Sequence, residues 1–179
     1  MVYVLLGKGF EEMEAIAPID LLRRAGIGVI TVGICGQTIF GSHNIGIHTD
    51  ITIEQMDFSQ MDMIVLPGGL GGVASIQGSQ RAIEAIRYAH KEGKLVAAIC
   101  AAPTILAQLH ITDGIPAVCY PGCEEEMGGA LMMEKACVRH ENVITGTSAG
   151  CAVPFALELI RALKGEDAAR QVAEQIVIR

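Results

Sequence analysis

The sequence predicts an α/β fold, a mostly parallel sheet with helices on both faces. Three observations carry this. Short β-branched runs alternate with segments of helical pattern along the chain. The strand runs are apolar throughout rather than alternating, which suits strands buried on both faces. Glycines stand where helices should stop, as C-caps do.

Taken in order, "VYVLL" (2–6) reads as the first strand. A helix over about 12–25 follows, with Glu11, Glu12 and Glu14 at its start, where acids complement the helix dipole, and Gly26 after its end. "IGVITV" (27–32) is the second strand and "DMIVLP" (62–67) the third. The next helix, about 80–92, closes at Gly93 and leads into the fourth strand, "KLVAAI" (94–99). Pro103 suits the first turn of a helix over 103–109, where its missing N–H costs nothing. "NVITG" (142–146) is the last strand, and Gly165 separates helices over 153–164 and 167–176. Residues 36–58 and 113–135 are less regular, each with room for a short hairpin or a surface excursion. No internal repeat or low-complexity segment interrupts this order, so one domain over 1–179 is expected.

Composition narrows the class. A chain of 179 residues with 51% apolar and 18% charged residues buries a core without staples and is not disordered. It has no tryptophan, 3 tyrosines and 4 phenylalanines, so aliphatic side chains and methionine must do the packing. A net charge of −7 argues against a nucleic-acid surface, which needs clustered Lys and Arg. No run reaches the roughly 18 apolar residues of a membrane span. The start, "MVYVLLGKGF", lacks the basic opening and cleavage site of a signal peptide. A cytoplasmic protein is expected. Cys35, Cys100, Cys119, Cys123, Cys137 and Cys151 contain no Cys-x-x-Cys, so reduced thiols are expected. Only Cys119 and Cys123 approach zinc-ligand spacing, and no second pair supports them. No metal or cofactor is expected.

Chemistry in such a sheet gathers at the carboxyl ends of the strands. "GKGFEEME" (7–14) is no nucleotide loop, because Glu12 stands where a third glycine belongs and three carboxylates would repel a pyrophosphate. Glu14 is the exception among these acids. Pro18, four residues on, disturbs the helix at its carbonyl and makes Glu14 a candidate acid or base. "LPGGLGG" (66–72) gives backbone N–H groups able to line an oxyanion hole, or serves simply as a tight strand-to-helix turn. It is not a phosphate loop of the Walker type, since no Gly-Lys-Ser/Thr follows.

"AAICAAPT" (97–104) is the sharpest signal. A nucleophile elbow sits on a strained strand-to-helix turn flanked by small residues, and Ala97, Ala98, Ala101 and Ala102 surround Cys100. A thiol at a helix N-terminus is expected to have a lowered pKa. Cys35, Cys137 and Cys151 read instead as small buried hydrophobes. None of His43, His48, His90, His110 and His140 lies beside a strand-end loop with clear companions, so surface or capping roles suit them.

With these loops in hand, the chain resembles the ThiJ/PfpI superfamily, through "GKGFEEMEAIAPIDLLRRAGI", "MIVLPGG", "VAAICAAPTILA" and "PFALELIRALKG". Within it, the branch is that of the Parkinson-disease protein deglycase and the bacterial ThiJ-like proteins. The resemblance spans essentially the whole chain. It implies a flavodoxin-like three-layer sandwich and a homodimer through the first helix, with Met13, Ile16 and Arg24 near the partner. It also implies an elbow cysteine at Cys100 and a first-helix glutamate at Glu14, whose protonated carboxyl hydrogen-bonds the sulfur. The family's backbone donors match Gly69 and Ala101, and Gly68 joins them in the glycine loop. The peptidase branch has histidine after the nucleophile, where this chain has Ala101. The late His-x-Glu pair of the glutamine amidotransferases is missing. Deglycase and glyoxalase III members place a histidine before the proline of "AVCYPGC"; here it is Tyr120, a substrate-binding candidate that donates a hydrogen bond but is a poor base. "TGTSAG" (145–150) lacks an arginine found in some members. Two functions follow from the resemblance. One is a cofactor-independent enzyme acting on reactive carbonyls or glycated groups. The other is a redox-responsive or chaperone-like protein without turnover. A phosphate or nucleotide binder at the glycine loop is a third reading, carried by the loop alone.

Overall fold

The structure, a computed structural model, describes residues 1–178. In chain order the elements are β1 (Val2–Leu6), α1 (Glu12–Arg24), β2 (Val29–Gly33), β3 (Thr38–Phe40), β4 (Gly46–His48), β5 (Ile51–Thr52), β6 (Met63–Leu66), α2 (Leu70–Gln77) and α3 (Gln80–Lys91). There follow β7 (Leu95–Ile99), α4 (Pro103–Gln108), β8 (Pro116–Ala117), β9 (Leu131–Met132), β10 (Cys137–His140), β11 (Val143–Gly146), α5 (Ala152–Lys164) and α6 (Glu166–Gln175). Seven strands form one sheet in the order β10-β11-β7-β6-β1-β2-β5. Every pairing is parallel except that of the edge strand β10 with β11. The expected α/β sandwich is the observed one.

The strands are apolar on both faces because both faces are covered. Tyr3, Leu5, Ile64, Leu66, Val96 and Ala98 pack with residues of α2, α3 and α4. Their alternates Val4, Leu6, Met63, Val65, Ala97 and Ile99 pack with α1, α5 and α6. Period-2 alternation thus splits one continuous apolar run between two cores. Each large side chain fully buried there contributes about 1.5–3 kcal/mol. Gly26, Gly93 and Gly165 follow helices at φ of 66°, 65° and 87°, as helix-ending glycines do.

Helix α2 is the element the sequence conceals. Its first turn contains Gly71 and Gly72, poor helix formers at about 1 kcal/mol each. Tertiary packing overrides that cost. A β-carbon on Gly72 would lie 2.8 Å from Phe10 Cα, and one on Gly71 would lie 2.8 Å from the Lys8 carbonyl oxygen. The glycines let the β1–α1 loop rest directly on this helix. The irregular stretch at 36–58 holds the β3–β4 hairpin, and 113–135 holds the short parallel pair β8–β9. No helix among the described residues is long and apolar enough to cross a membrane.

Because β11, β7, β6 and β1 are neighbours, the loops after their carboxyl ends lie side by side. Strand order changes direction between β1 and β6, where open α/β sheets form their crevice.

Candidate active site

Cys100 leaves β7 with φ of 66°, left-handed backbone for a residue that carries a β-carbon. Such geometry costs about 1–3 kcal/mol and persists only where surrounding contacts enforce it. Two hydrogen bonds do so. The Cys100 N–H donates to the Gly146 carbonyl at 2.9 Å, and the Tyr120 N–H donates to the Cys100 carbonyl at 2.7 Å. The elbow is therefore clamped between the end of β11 and the 117–123 segment. The Val118 N–H donates to Thr145 Oγ1 at 3.0 Å and holds that segment on the sheet as well.

Glu14 approaches from α1, which runs through Pro18 unbroken. It is completely buried. The Gly68 N–H donates to its Oε2 at 2.8 Å, while Oε1 has no hydrogen-bond partner. Gly68 also separates carboxyl from thiol: a β-carbon there would lie 2.5 Å from Glu14 Oε2 and 2.7 Å from Cys100 Cβ. Burial pushes Glu14 up to about 7, against the pull of the Cys100 thiol and the Gly68 N–H.

This corrects two expectations. Gly68 is not an oxyanion donor, since its N–H is already committed to Glu14. The Cys100 thiol is not lowered by its helix. Burial, with the Glu14 charge and hydrogen bond adding to it, pushes the thiol up to about 12, and the N–H groups of Ala101 and Gly69 only partly oppose this. Helix α4 has six residues, so its dipole is small beside the desolvation of a half-buried thiol. The site therefore sets a buried carboxyl, pushed up, beside a half-buried thiol that is pushed up as well.

The thiol opens into a pocket of about 260 Å³ lined by Glu11, Gly69, Leu70, Cys100, Ala101, Tyr120 and Cys123. Gly69 turns into α2 at φ of 83°, where a β-carbon would strike the Gly9 carbonyl oxygen at 2.5 Å. Tyr120 is 48% exposed at the pocket. No histidine lines it. Sequence reasoning brings Cys100, Glu14, Gly69, Ala101 and Tyr120 to one place. It misses Leu70, hidden with the rest of α2, and Glu11, which caps α1 by accepting from the Glu14 N–H at 2.8 Å. It also misses Cys123, whose signal was its place three residues after Tyr120, across the Pro-Gly turn of "CYPGC".

Other expectations fall elsewhere. Met13 and Ile16 are exposed and line an apolar groove of about 430 Å³ with Ala17 and Val153. Arg24 does not line that groove; it pairs with Asp20 within the same helix, at 2.7 Å. Cys35, expected to be buried, is exposed, and Cys137 and Cys151 are half-buried. Among the described residues one set of three metal-capable side chains lies together, Glu11, Glu12 and His43. Glu12 there accepts from the His43 N–H at 2.7 Å, from Ser42 Oγ at 3.1 Å and contacts His43 Nδ1 at 2.9 Å.

A parallel α/β sandwich that presents a left-handed cysteine at a strand end, against a buried protonatable glutamate, defines a cysteine-elbow protein. The chain belongs to the DJ-1/PfpI family, whose model matches residues 1–162. It is 35% identical to protein dj-1beta of Drosophila melanogaster over 98% of this chain and 95% of that protein. It is 34% identical to the Parkinson disease protein 7 homolog of Danio rerio, over 98% and 96%. A protein of Pyrococcus abyssi named as a deglycase is 27% identical over 91% of this chain and 99% of its own length. The crystal structure of Drosophila DJ-1beta superposes with a TM-score of 0.94 over 99% of this chain and 97% of that one.

Proposed function

We propose that the chain is a cofactor-independent enzyme that acts on reactive carbonyls such as methylglyoxal or its adducts with amines and thiols. The observation that carries this is the pairing of a strained, half-buried Cys100 with a buried carboxyl poised near neutrality. The name of the Pyrococcus relative supports the same chemistry. In this reading the Glu14 carboxylate takes the thiol proton as Cys100 sulfur attacks the aldehyde carbon, giving a hemithioacetal. The N–H groups of Gly69 and Ala101 receive the developing oxyanion. Glu14 then moves the proton from the aldehyde carbon to its neighbour, and water hydrolyses the resulting thioester to lactate and free thiol. The Tyr120 hydroxyl donates a hydrogen bond that orients substrate at the mouth. Lactate formation from methylglyoxal by the native chain and by Cys100→Ser tests the proposal. Turnover by the native chain alone is expected; equal or absent turnover in both overturns it.

The lack of a histidine in the pocket favours a second reading, a redox-responsive protein in which Cys100 is oxidised without turnover. Peroxide oxidation that begins at Cys100 supports it, and even oxidation over all six cysteines overturns it. In either reading the groove beside Met13 and Ile16 is where a second copy docks. Sedimentation of Met13→Lys as a smaller species than the native chain checks that assembly, and equal sedimentation rejects it.

A further inference from the structure

Cys123 faces the same pocket as Cys100, and the chemistry above leaves it without a task. The backbone brings it there. Tyr120, Pro121, Gly122 and Cys123 form a β-turn in which the Cys123 N–H donates to the Tyr120 carbonyl at 2.9 Å, with Gly122 at φ of 102°. Proline second and a positive-φ glycine third make this a type II turn, whose end residues have Cα atoms closer than about 7 Å. The first residue of that turn is itself bonded to the elbow, through the 2.7 Å contact from the Tyr120 N–H to the Cys100 carbonyl. A turn bonded to the nucleophile's own backbone therefore returns a second thiol to the nucleophile's pocket.

The other cysteines are placed differently. Cys119 is buried and does not line this pocket, its Sγ donating to the Tyr120 carbonyl at 3.5 Å. Cys35 is exposed and lies outside the pocket. Cys137 packs in the core formed with α1, α5 and α6, and Cys151 precedes α5. Cys123 packs against both the core that holds Ala101 and the small cluster that holds Cys119, so it is the thiol between them.

We propose that Cys123 is the resolving thiol for Cys100, closing a Cys100–Cys123 disulfide when a hydroperoxide oxidises the elbow cysteine. The inference rests on Cys100 being the reactive thiol and specifies what ends its oxidation. In the first step the Cys100 sulfur attacks the outer peroxide oxygen, the O–O bond breaks, and the departing alkoxide or hydroxide takes the thiol proton. Cys100 becomes a sulfenic acid. In the second step the Cys123 sulfur attacks the Cys100 sulfur, the S–O bond breaks, and hydroxide leaves as water with the Cys123 proton. Two electrons pass from the two thiols to one peroxide. The turn at 120–122 that carries Cys123 is exposed, and closing the bridge requires it to set the two Cα atoms about 4.4–6.8 Å apart, as disulfide geometry demands.

Hydrogen peroxide at increasing dose, followed by alkylation of free thiols and non-reducing peptide mapping, tests this. The native chain is expected to lose two thiols and two hydrogens in mass, with one peptide joining Cys100 to Cys123. Cys123→Ser is expected to lose that bridge, to give a sulfenic acid at Cys100 that dimedone traps, and to run on to sulfinic acid. Cys119→Ser is expected to keep the bridge. Sulfinic acid at Cys100 in the native chain, with the Cys123 thiol still free, overturns the resolving role while leaving Cys100 reactive. Cys100 unoxidised while other cysteines react overturns both.

Discussion

Glu12 and Glu14 stand in one turn of α1, both with little or no exposure, at 7% and 0%, yet the fold drives their protons in opposite directions. Burial works against ionisation at both. At Glu12 it is outweighed by hydrogen bonds from the His43 side chain, the His43 N–H and Ser42, which hold the carboxylate down to about 2. At Glu14 the donors are few, and burial wins, raising the group to about 7. Burial alone therefore sets no protonation state; the donors delivered with it do. Here the β3–β4 hairpin delivers several to one carboxyl, and the glycine loop delivers a single N–H to the other. The first carboxyl becomes a structural tie and the second a proton carrier.

Removing the carrier should give the largest effect. Glu14→Gln keeps an acceptor for the Gly68 N–H and loses the exchangeable proton, so lactate formation from methylglyoxal should fall by about a hundredfold or more. Its stability should move the other way. A carboxyl whose folded pKa lies above its unfolded value takes up a proton on folding, so stability falls as pH rises from 4.5 to about 7 and stays reduced above that. The reduction amounts to about 3 kcal/mol at full ionisation. Urea unfolding should therefore find Glu14→Gln more stable than the native chain at pH near 8 and nearly equal to it at pH near 4. Equal stability at both would mean that burial does not hold the proton at Glu14.

Gly68→Ala perturbs the same carboxyl sterically and leaves Glu12 alone. Its β-carbon lands 2.5 Å from Glu14 Oε2 and 2.7 Å from Cys100 Cβ, closer than side chains tolerate. Forcing the two apart should cost about 1–3 kcal/mol of stability and most of the turnover. A variant with native melting temperature and native turnover would show that carboxyl and thiol need not share this gap.

How much of this was legible in the sequence follows physical lines. Strands β1, β2, β6, β7 and β11 could be read because residues buried on both faces leave continuous apolar runs. Helix α2 could not, because its glycines answer to Phe10 and Lys8, contacts that exist only once the chain is folded. The Cys100 elbow was visible because small residues and Pro103 mark such a turn locally. The direction of its pKa was not, since that depends on burial of the thiol in the folded chain, with the Glu14 charge brought across from α1 adding to it. Glu12 read as a dipole complement for the same reason: its partners Ser42 and His43 arrive from a hairpin about 30 residues on, with no local mark.

Cutting the tie should give the smallest effect, and in a different pH window. Glu12 is buried but its partner His43 is exposed at the surface, so the bonds between them are partly screened. Glu12→Gln should then cost about 1 kcal/mol, below the roughly 1.5–3 kcal/mol usual for hydrogen bonds to a charged group, because of that screening. A carboxyl held below its unfolded pKa stabilises the fold above 4.5, and that stabilisation is lost as pH falls toward about 2. The gap between native chain and Glu12→Gln should be full at pH 6 and shrink by pH 3, opposite in sign to the Glu14 effect and outside its window. Lactate formation should stay near native, because Glu12 does not line the Cys100 pocket. Loss of turnover on the scale of Glu14→Gln would instead mean that docking the β3–β4 hairpin on α1 sets the position of Glu14, and that tie and carrier form one device.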